Sequence, residues 1–273
     1  MAHDVDISAY LDRIDYDGPT GPSLETLMAL QTRHLDSIPF EAIDVALDRG
    51  VDLTPQAVDA KLIGARRGGY CYEQNGLFLR VLRRLGFEAD GLLCRVSMGR
   101  KPGDAPMART HMALRVTLDG ALWLVDVGFG GMVPPAPLKI EEKSVQETAH
   151  EPWRITAQDG FRLSEAMVGD LWEPMYEIYD DPQAEVDYEP ANWFVSTHPS
   201  SFFRRDLVAA RVAPDARYAL FGARLTIRRR GRPMERRELS VSELEATLRD
   251  VFGLEPKTDW RPLLERTAAG IAA

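Results

Sequence analysis

Apolar side chains recur at helical spacing up to about residue 86 and at strand spacing beyond it. Ile7, Tyr10, Leu11 and Ile14 fall on one helical face behind Asp6, a residue suited to cap the first turn. Ser23 stands in the same relation to Leu24, Leu27, Met28 and Leu35. Thr54-Pro55 places a capping residue before a proline at the first helical position, which predicts a short helix to about Ile63. A loop over 64–70 then leads into a helix from Cys71 to Leu85, with Gly86 as its left-handed terminator.

After Phe87 the pattern changes. Runs rich in Val, Leu and aromatic residues at 89–96, 111–118 and 121–127 predict strands, and further runs near Trp153, near Phe161, at 175–179 and at 193–196 extend them. The proline-rich 133–137 and the acidic 179–182 read as loops. In the tail, strands at 219–221 and 224–229 flank a turn at 230–233. The capping box Ser240-Val241-Ser242-Glu243 opens a helix that closes near Gly253. The chain therefore reads as α+β, with a helical part over 1–86, a β-rich part over 87–196 and an α/β part over 197–273.

Composition narrows the function. With 45% hydrophobic residues among 273, the chain can bury a sizeable core. A formal charge of −9 excludes a general nucleic-acid binder, which needs a cationic surface. No run of 18 apolar residues exists, and Met1 to Asp6 carry neither a basic nor an apolar leader pattern, so a cytoplasmic chain without membrane contact is expected. Cys71 and Cys94, the two cysteines, are then expected to be reduced.

Cys71 carries the candidate chemistry. It sits where the loop Arg67-Gly68-Gly69-Tyr70 meets a helix, and the unpaired N–H groups of a helix start favour thiolate. The same position also suits a small buried hydrophobe. A histidine and a carboxylate decide between these readings. Asp119-Gly120 lies between two strand-like runs and predicts a two-residue hairpin. If Leu118 faces Ala121, Ala113 faces Asp126, and His111 and Asp126 share a face as diagonal neighbours within reach of a hydrogen bond. Cys71 would attack an acyl carbon, His111 would handle its proton, and Asp126 would orient the imidazole. One thiol, one imidazole and one carboxylate at scattered spacing carry no metal-ligand signature, so no metal is expected.

These residues match a known pattern. Arg67-Gly68-Gly69-Tyr70-Cys71-Tyr72-Glu73-Gln74-Asn75, Thr110-His111 and Asp126-Val127-Gly128-Phe129-Gly130 resemble the arylamine N-acetyltransferases. Pro39-Phe40-Glu41 and Asn192 to Pro199 extend the likeness over nearly the whole chain. The resemblance implies a helical bundle, a central antiparallel β-barrel and a C-terminal α/β lid around a papain-like Cys-His-Asp core. It also implies a ping-pong transfer of acetyl from acetyl-coenzyme A, through a Cys71 thioester, to an arylamine, arylhydrazine or arylhydroxylamine. By the same resemblance Cys71, His111 and Asp126 are catalytic, and Phe40, Val96, Phe129 and Phe203 line the acceptor pocket. Gly128 and Gly130 would let pantetheine approach the backbone, although a turn at a strand end explains them equally. Glu41 and Arg67 match a structural ion pair. A monomer or homodimer is expected.

Ala42 departs from the pattern, because the family usually has Asn there. Two other enzymatic readings use the same residues: an amide synthase closing a macrolactam in natural-product assembly, and a hydrolase or transglutaminase-like enzyme with the same Cys, His, Asp order. Arginines at 224, 228, 229, 230, 232, 236 and 237 crowd a turn, as a solvated hairpin or a contact for coenzyme A phosphates.

Overall fold

Polar caps set the N-terminal helices where the sequence places them. The computed structural model describes residues 4–101, 103–181 and 183–270, so Met1 to His3 of the acidic N-terminus and Pro182 of the acidic loop lie outside the described residues. Asp6 accepts from Ala9 N–H at 3.0 Å to start α1 (Ile7–Arg13), and Ser23 Oγ accepts from Thr26 N–H at 3.1 Å to start α2 (Leu24–Ser37). There follow a two-residue strand β1 (Phe40–Glu41), α3 (Ile43–Ala46) and α4 (Pro55–Asp59), which runs on as a π-turn to Gly64. The helix α5 (Cys71–Arg84), which opens with Cys71, ends at Gly86, whose φ of +90° only glycine adopts without strain.

The middle of the chain supplies β2 (Glu88–Val96), β3 (His111–Leu118), β4 (Ala121–Val125), β5 (Leu138–Lys139), β6 (Trp153–Ala157), β7 (Arg162–Val168) and β8 (Leu171–Ile178). They form one antiparallel sheet in the order β5-β4-β3-β2-β8-β7-β6. Gln146 bends its two ends together. Its backbone exchanges two hydrogen bonds with Trp153 on β6, while its side chain exchanges two with the backbone of Lys139 on β5. The sheet is thereby a nearly closed barrel, which removes the exposed edges an open sheet would leave. The β3–β4 hairpin has the register expected from sequence: Leu118 faces Ala121 and Leu114 faces Val125, across a turn with positive φ at Asp119 and Gly120.

One predicted strand is a helix. Residues 193–196 belong to α6 (Tyr188–Thr197), although Trp193, Phe194 and Val195 favour strands locally. Tyr188, Val195 and Ser196 are the buried positions, a spacing of seven and eight that suits a helix with one face against the body; Trp193 stays 63% exposed. The predicted strand 121–127 also stops early, at Val125, so Asp126 is free to turn inward.

The last layer contains β9 (Val208–Ala213), β10 (Ala216–Phe221), β11 (Arg224–Arg228), β12 (Glu235–Glu238), α7 (Val241–Asp250) and α8 (Arg261–Ala269). β9 escapes a sequence reading because alanine, three of its six residues, is a poor strand former. Its partner comes from the other end of the chain: β1 pairs with β9, giving the sheet β1-β9-β10-β11-β12. Ile43 and Ala46 of α3 accordingly share a core with Leu244, Leu248, Trp260 and Leu263. Trp260 is fully buried there, with the Arg67 guanidinium 4.8 Å from its ring centroid. Replacing Trp260 by Ala is expected to cost about 3–5 kcal/mol in urea denaturation, against about 0.5 kcal/mol or less for Trp193→Ala on the exposed face of α6.

Candidate active site

The loop before Cys71 is held by close backbone packing and a buried ion network. Gly68 passes so near Pro39 that a Cβ would lie 2.1 Å from its carbonyl oxygen, and Gly69 O accepts from Glu41 N–H at 3.0 Å. β1 is thus clasped between this loop and β9. Arg67 donates to Glu41 at 2.6 and 2.9 Å and to Asp44 at 3.1 Å, while Lys61 lies 2.8 Å from Asp44 and 2.7 Å from Glu73. Burial would lower the basicity of Lys61, but Glu41, Glu73 and Asp44 together hold it above its ordinary range. Glu73 completes the arrangement by accepting from Tyr70 N–H at 3.0 Å, which caps α5 one residue before Cys71.

Three elements then meet at the thiol. Cys71 opens α5, His111 opens β3 and Asp126 follows β4. His111 Nε2 lies 2.7 Å from Asp126 Oδ2, while Cys71 Sγ lies 3.9 Å from the carbonyl oxygen of Thr110, the residue before His111, and interacts electrostatically with the imidazole. The other carboxylate oxygen accepts from Gly128 N–H at 2.7 Å and Asn75 Nδ2 at 2.9 Å. Asp126 is fully buried with each oxygen engaged, which makes a carboxylate tolerable inside the fold. Burial alone would lower the His111 pKa, yet attraction to Asp126, the hydrogen bond to it and the neighbouring Cys71 outweigh it and push the value up to about 9. At neutral pH the imidazole is held as its cation.

The remaining sequence candidates gather around this centre. The Phe129 and Tyr176 rings lie 4.8 and 4.9 Å from the imidazole and 4.8 Å from each other. Val96, paired with Tyr176, stands two residues along β2 from Cys94, the cross-strand partner of His111. On the opposite side Phe203 lies 6.0 Å from Phe40 and 6.2 Å from Tyr70. Gly130, with φ of +75°, turns the chain so that a Cβ would sit 3.6 Å from the Phe40 ring. Gly128 has a different reason to be glycine. A Cβ there would lie 2.7 Å from Cys71 Cα and 2.7 Å from Asn75 Nδ2, so the constraint is the approach of this turn to α5.

Asn75 and Gln74 are the functional residues that motif reading leaves without a role. Asn75 Nδ2 donates to Met112 O and Asp126, and its Oδ1 accepts from Val127 N–H at 3.0 Å. Gln74 Nε2 donates to Pro39 O at 2.8 Å, and its Oε1 faces His34 Nε2 at 2.7 Å. Burial pulls the His34 pKa down to about 4, so it is neutral and structural. The available signal was two adjacent amides on a helix whose later inward positions, Leu77 to Leu82, are apolar, since buried amides need partners. Cys94 is fully buried and packs in the barrel interior. At Ala42 the cap of α3 passes to a neighbour: Glu41 Oε2 accepts from Ile43 N–H at 2.7 Å, with no side-chain cap from Ala42 itself.

Comparison with known proteins places this geometry. A family model described as N-acetyltransferase matches residues 23–261. The arylamine N-acetyltransferase of Mycobacterium tuberculosis H37Rv is 43% identical over 255 residues, 92% of this chain and 89% of that protein. That of Escherichia coli K12 is 37% identical over 250 residues, 91% and 88% of the two chains. Among solved structures, Mycobacterium marinum arylamine N-acetyltransferase in complex with CoA superimposes with a TM-score of 0.91 at 42% identity, covering 97% of this chain and 99% of that one. With a match of this length and identity, the chain belongs to the arylamine N-acetyltransferase family.

Proposed function

We propose that Cys71, His111 and Asp126 are the catalytic triad of an enzyme that moves acetyl from acetyl-coenzyme A to an aromatic amine, hydrazine or hydroxylamine. The observation that carries this reading is the His111 imidazole 2.7 Å from the fully buried Asp126 carboxylate, with Cys71 Sγ 3.9 Å from the carbonyl of neighbouring Thr110. In the first half-reaction Cys71 Sγ attacks the thioester carbonyl, the tetrahedral intermediate expels coenzyme A as its thiol, with the proton supplied by His111, and an acetyl-Cys71 thioester remains. As the first helical residue, Cys71 presents an N–H without an intrahelical acceptor, suited to the oxyanion. In the second half-reaction the amine nitrogen attacks the acetyl carbon and His111 takes its proton. The amide leaves, and Cys71 Sγ is freed with the proton back on His111, as at the start.

Weakly basic aromatic nitrogens suit this site. They are unprotonated at neutral pH, so an activated acyl group and one base suffice. Phe40, Phe129 and Phe203 supply rings for the aromatic body of the acceptor, and Val96 lies beside them at the end of β2. The solved relative from M. marinum with CoA bound supports the donor.

Four measurements check the reading. Intact mass after mixing with acetyl-coenzyme A is expected to rise by one acetyl in the wild type and not in Cys71→Ala; equal labelling of both would overturn it. Asp126→Asn is expected to lower kcat by on the order of 10³-fold or more, because the imidazole loses the partner that fixes its tautomer. Asn75→Ala, acting through Asp126, is expected to lower kcat by roughly 10²-fold with little change in KM. The raised His111 pKa also predicts a stability slope. The native state binds a proton that the unfolded chain releases near pH 6.5, so this contribution is full below about 6.5 and is lost as pH rises towards about 9. Urea denaturation from pH 6 to 9.5 should show that decline in the wild type and a flatter profile in Asp126→Asn.

A further inference from the structure

Beside the turn that carries Phe129 lies a cavity of about 580 Å³, between the β7–β8 turn and the arginine-rich β11–β12 turn. Five arginines line it, at 217, 228, 229, 230 and 232, against two carboxylates, Glu151 and Asp170. Three of the five are matched. Arg217, fully buried, makes a two-pronged pair with Glu151; Arg229 bonds Glu235 at 2.5 Å; Arg230 bonds Thr148 O at 2.9 Å and Glu147 at 3.3 Å. Arg232 stands exposed at the rim.

Arg228 is different. It is half-buried, and the only hydrogen-bond contact of its side chain among the described residues is the Met132 sulfur at 3.6 Å. Burial, Arg217 and Arg236 together hold its pKa below the usual value, with Glu151 working the other way. A guanidinium withdrawn from water without a carboxylate is costly, and it recovers that cost by meeting an anion in its planar fork. Met132, Met167 and Met234 add an apolar lining to the cavity, beside His150 and the two carboxylates. We propose that this cavity binds a phosphate-bearing ligand, with the phosphate on Arg228 and an apolar or heteroaromatic body against the three methionines.

The placement ties the cavity to the active site. Met132 and Val168 line it and pack with Phe129 in one core cluster, while Arg217 Nη1 reaches Gly131 O at 3.4 Å. Two sources could supply the phosphate: the nucleotide end of the acetyl donor, or a free nucleotide acting as effector. The first rests on the donor assigned above; the second does not.

Adenosine 3′,5′-bisphosphate is the probe, titrated by calorimetry into wild type, Arg228→Met and Met234→Glu. The last of these brings a carboxylate to the cavity from a position already 43% exposed, so it tests the charge without loss of a buried side chain. Wild-type binding in the submillimolar range is expected, weakened about tenfold or more in both variants, as for loss of a charge-assisted bond. No wild-type binding, or equal binding by wild type and a variant whose circular dichroism and Tm show it folded, overturns the proposal. Acetyl labelling of Cys71, followed by mass, reports separately on the catalytic reading. A KM increase in Arg228→Met for acetyl-coenzyme A but not for its 3′-dephospho form assigns the donor. Bisphosphate binding lost with KM unchanged assigns a separate ligand.

Discussion

The active site depends on one close approach, that of the turn after β4 to the first turn of α5. Gly128 has room only for a hydrogen where any other residue would put a carbon into Cys71 or Asn75. Through that gap Asn75 ties the helix to Met112, Asp126 and Val127, three points on two neighbouring segments of the barrel. The thiol belongs to the helical layer and its two partners belong to the barrel, so their alignment is a property of the seam. Gln31 reinforces the seam from behind, donating to the backbone carbonyls of Asp126 and Pro134.

A second constraint acts on the other side of Cys71. The charges of Glu41, Asp44, Lys61, Arg67 and Glu73 are largely withdrawn from water, where isolated ions would be destabilising. Each finds partners within the cluster, and Arg67 adds a face-on contact with Trp260 from the last layer. Such a network favours one arrangement of the loop 65–70 over near alternatives, because any shift leaves a buried charge unpaired. Closely packed glycines and paired ions therefore do the same task by different means: they leave Cys71 a single position.

Much of this was legible in the chain. The caps at Asp6 and Ser23, the helix from Cys71 and the Asp119-Gly120 hairpin are local signals, and the hairpin register alone brought His111 and Asp126 to one face. What stayed hidden was non-local. The helix at 188–197 resembles a strand in composition and is set by burial of Tyr188, Val195 and Ser196. The strand β9 has little intrinsic preference and exists because β1 and β10 flank it. Asn75 sat within the motif, yet its role depends on which turn packs above it. Gly128 read equally well as a turn or a ligand approach until its neighbour proved to be Cys71 itself.

The pairing of β1 with β9 joins opposite ends of the chain in one sheet, and this bears on the order in which the molecule assembles. During synthesis the helix that opens with Cys71 and the barrel are complete before β9 exists. Until then Phe40 and Glu41 have an unfilled edge, and the clasp that positions the Gly68-Gly69 loop is open on one side. Contacts of such long sequence separation form late and slowly. The surroundings of Cys71 are thus a product of finishing the fold, and a nascent or truncated chain would carry Cys71 without the loop geometry that β9 completes.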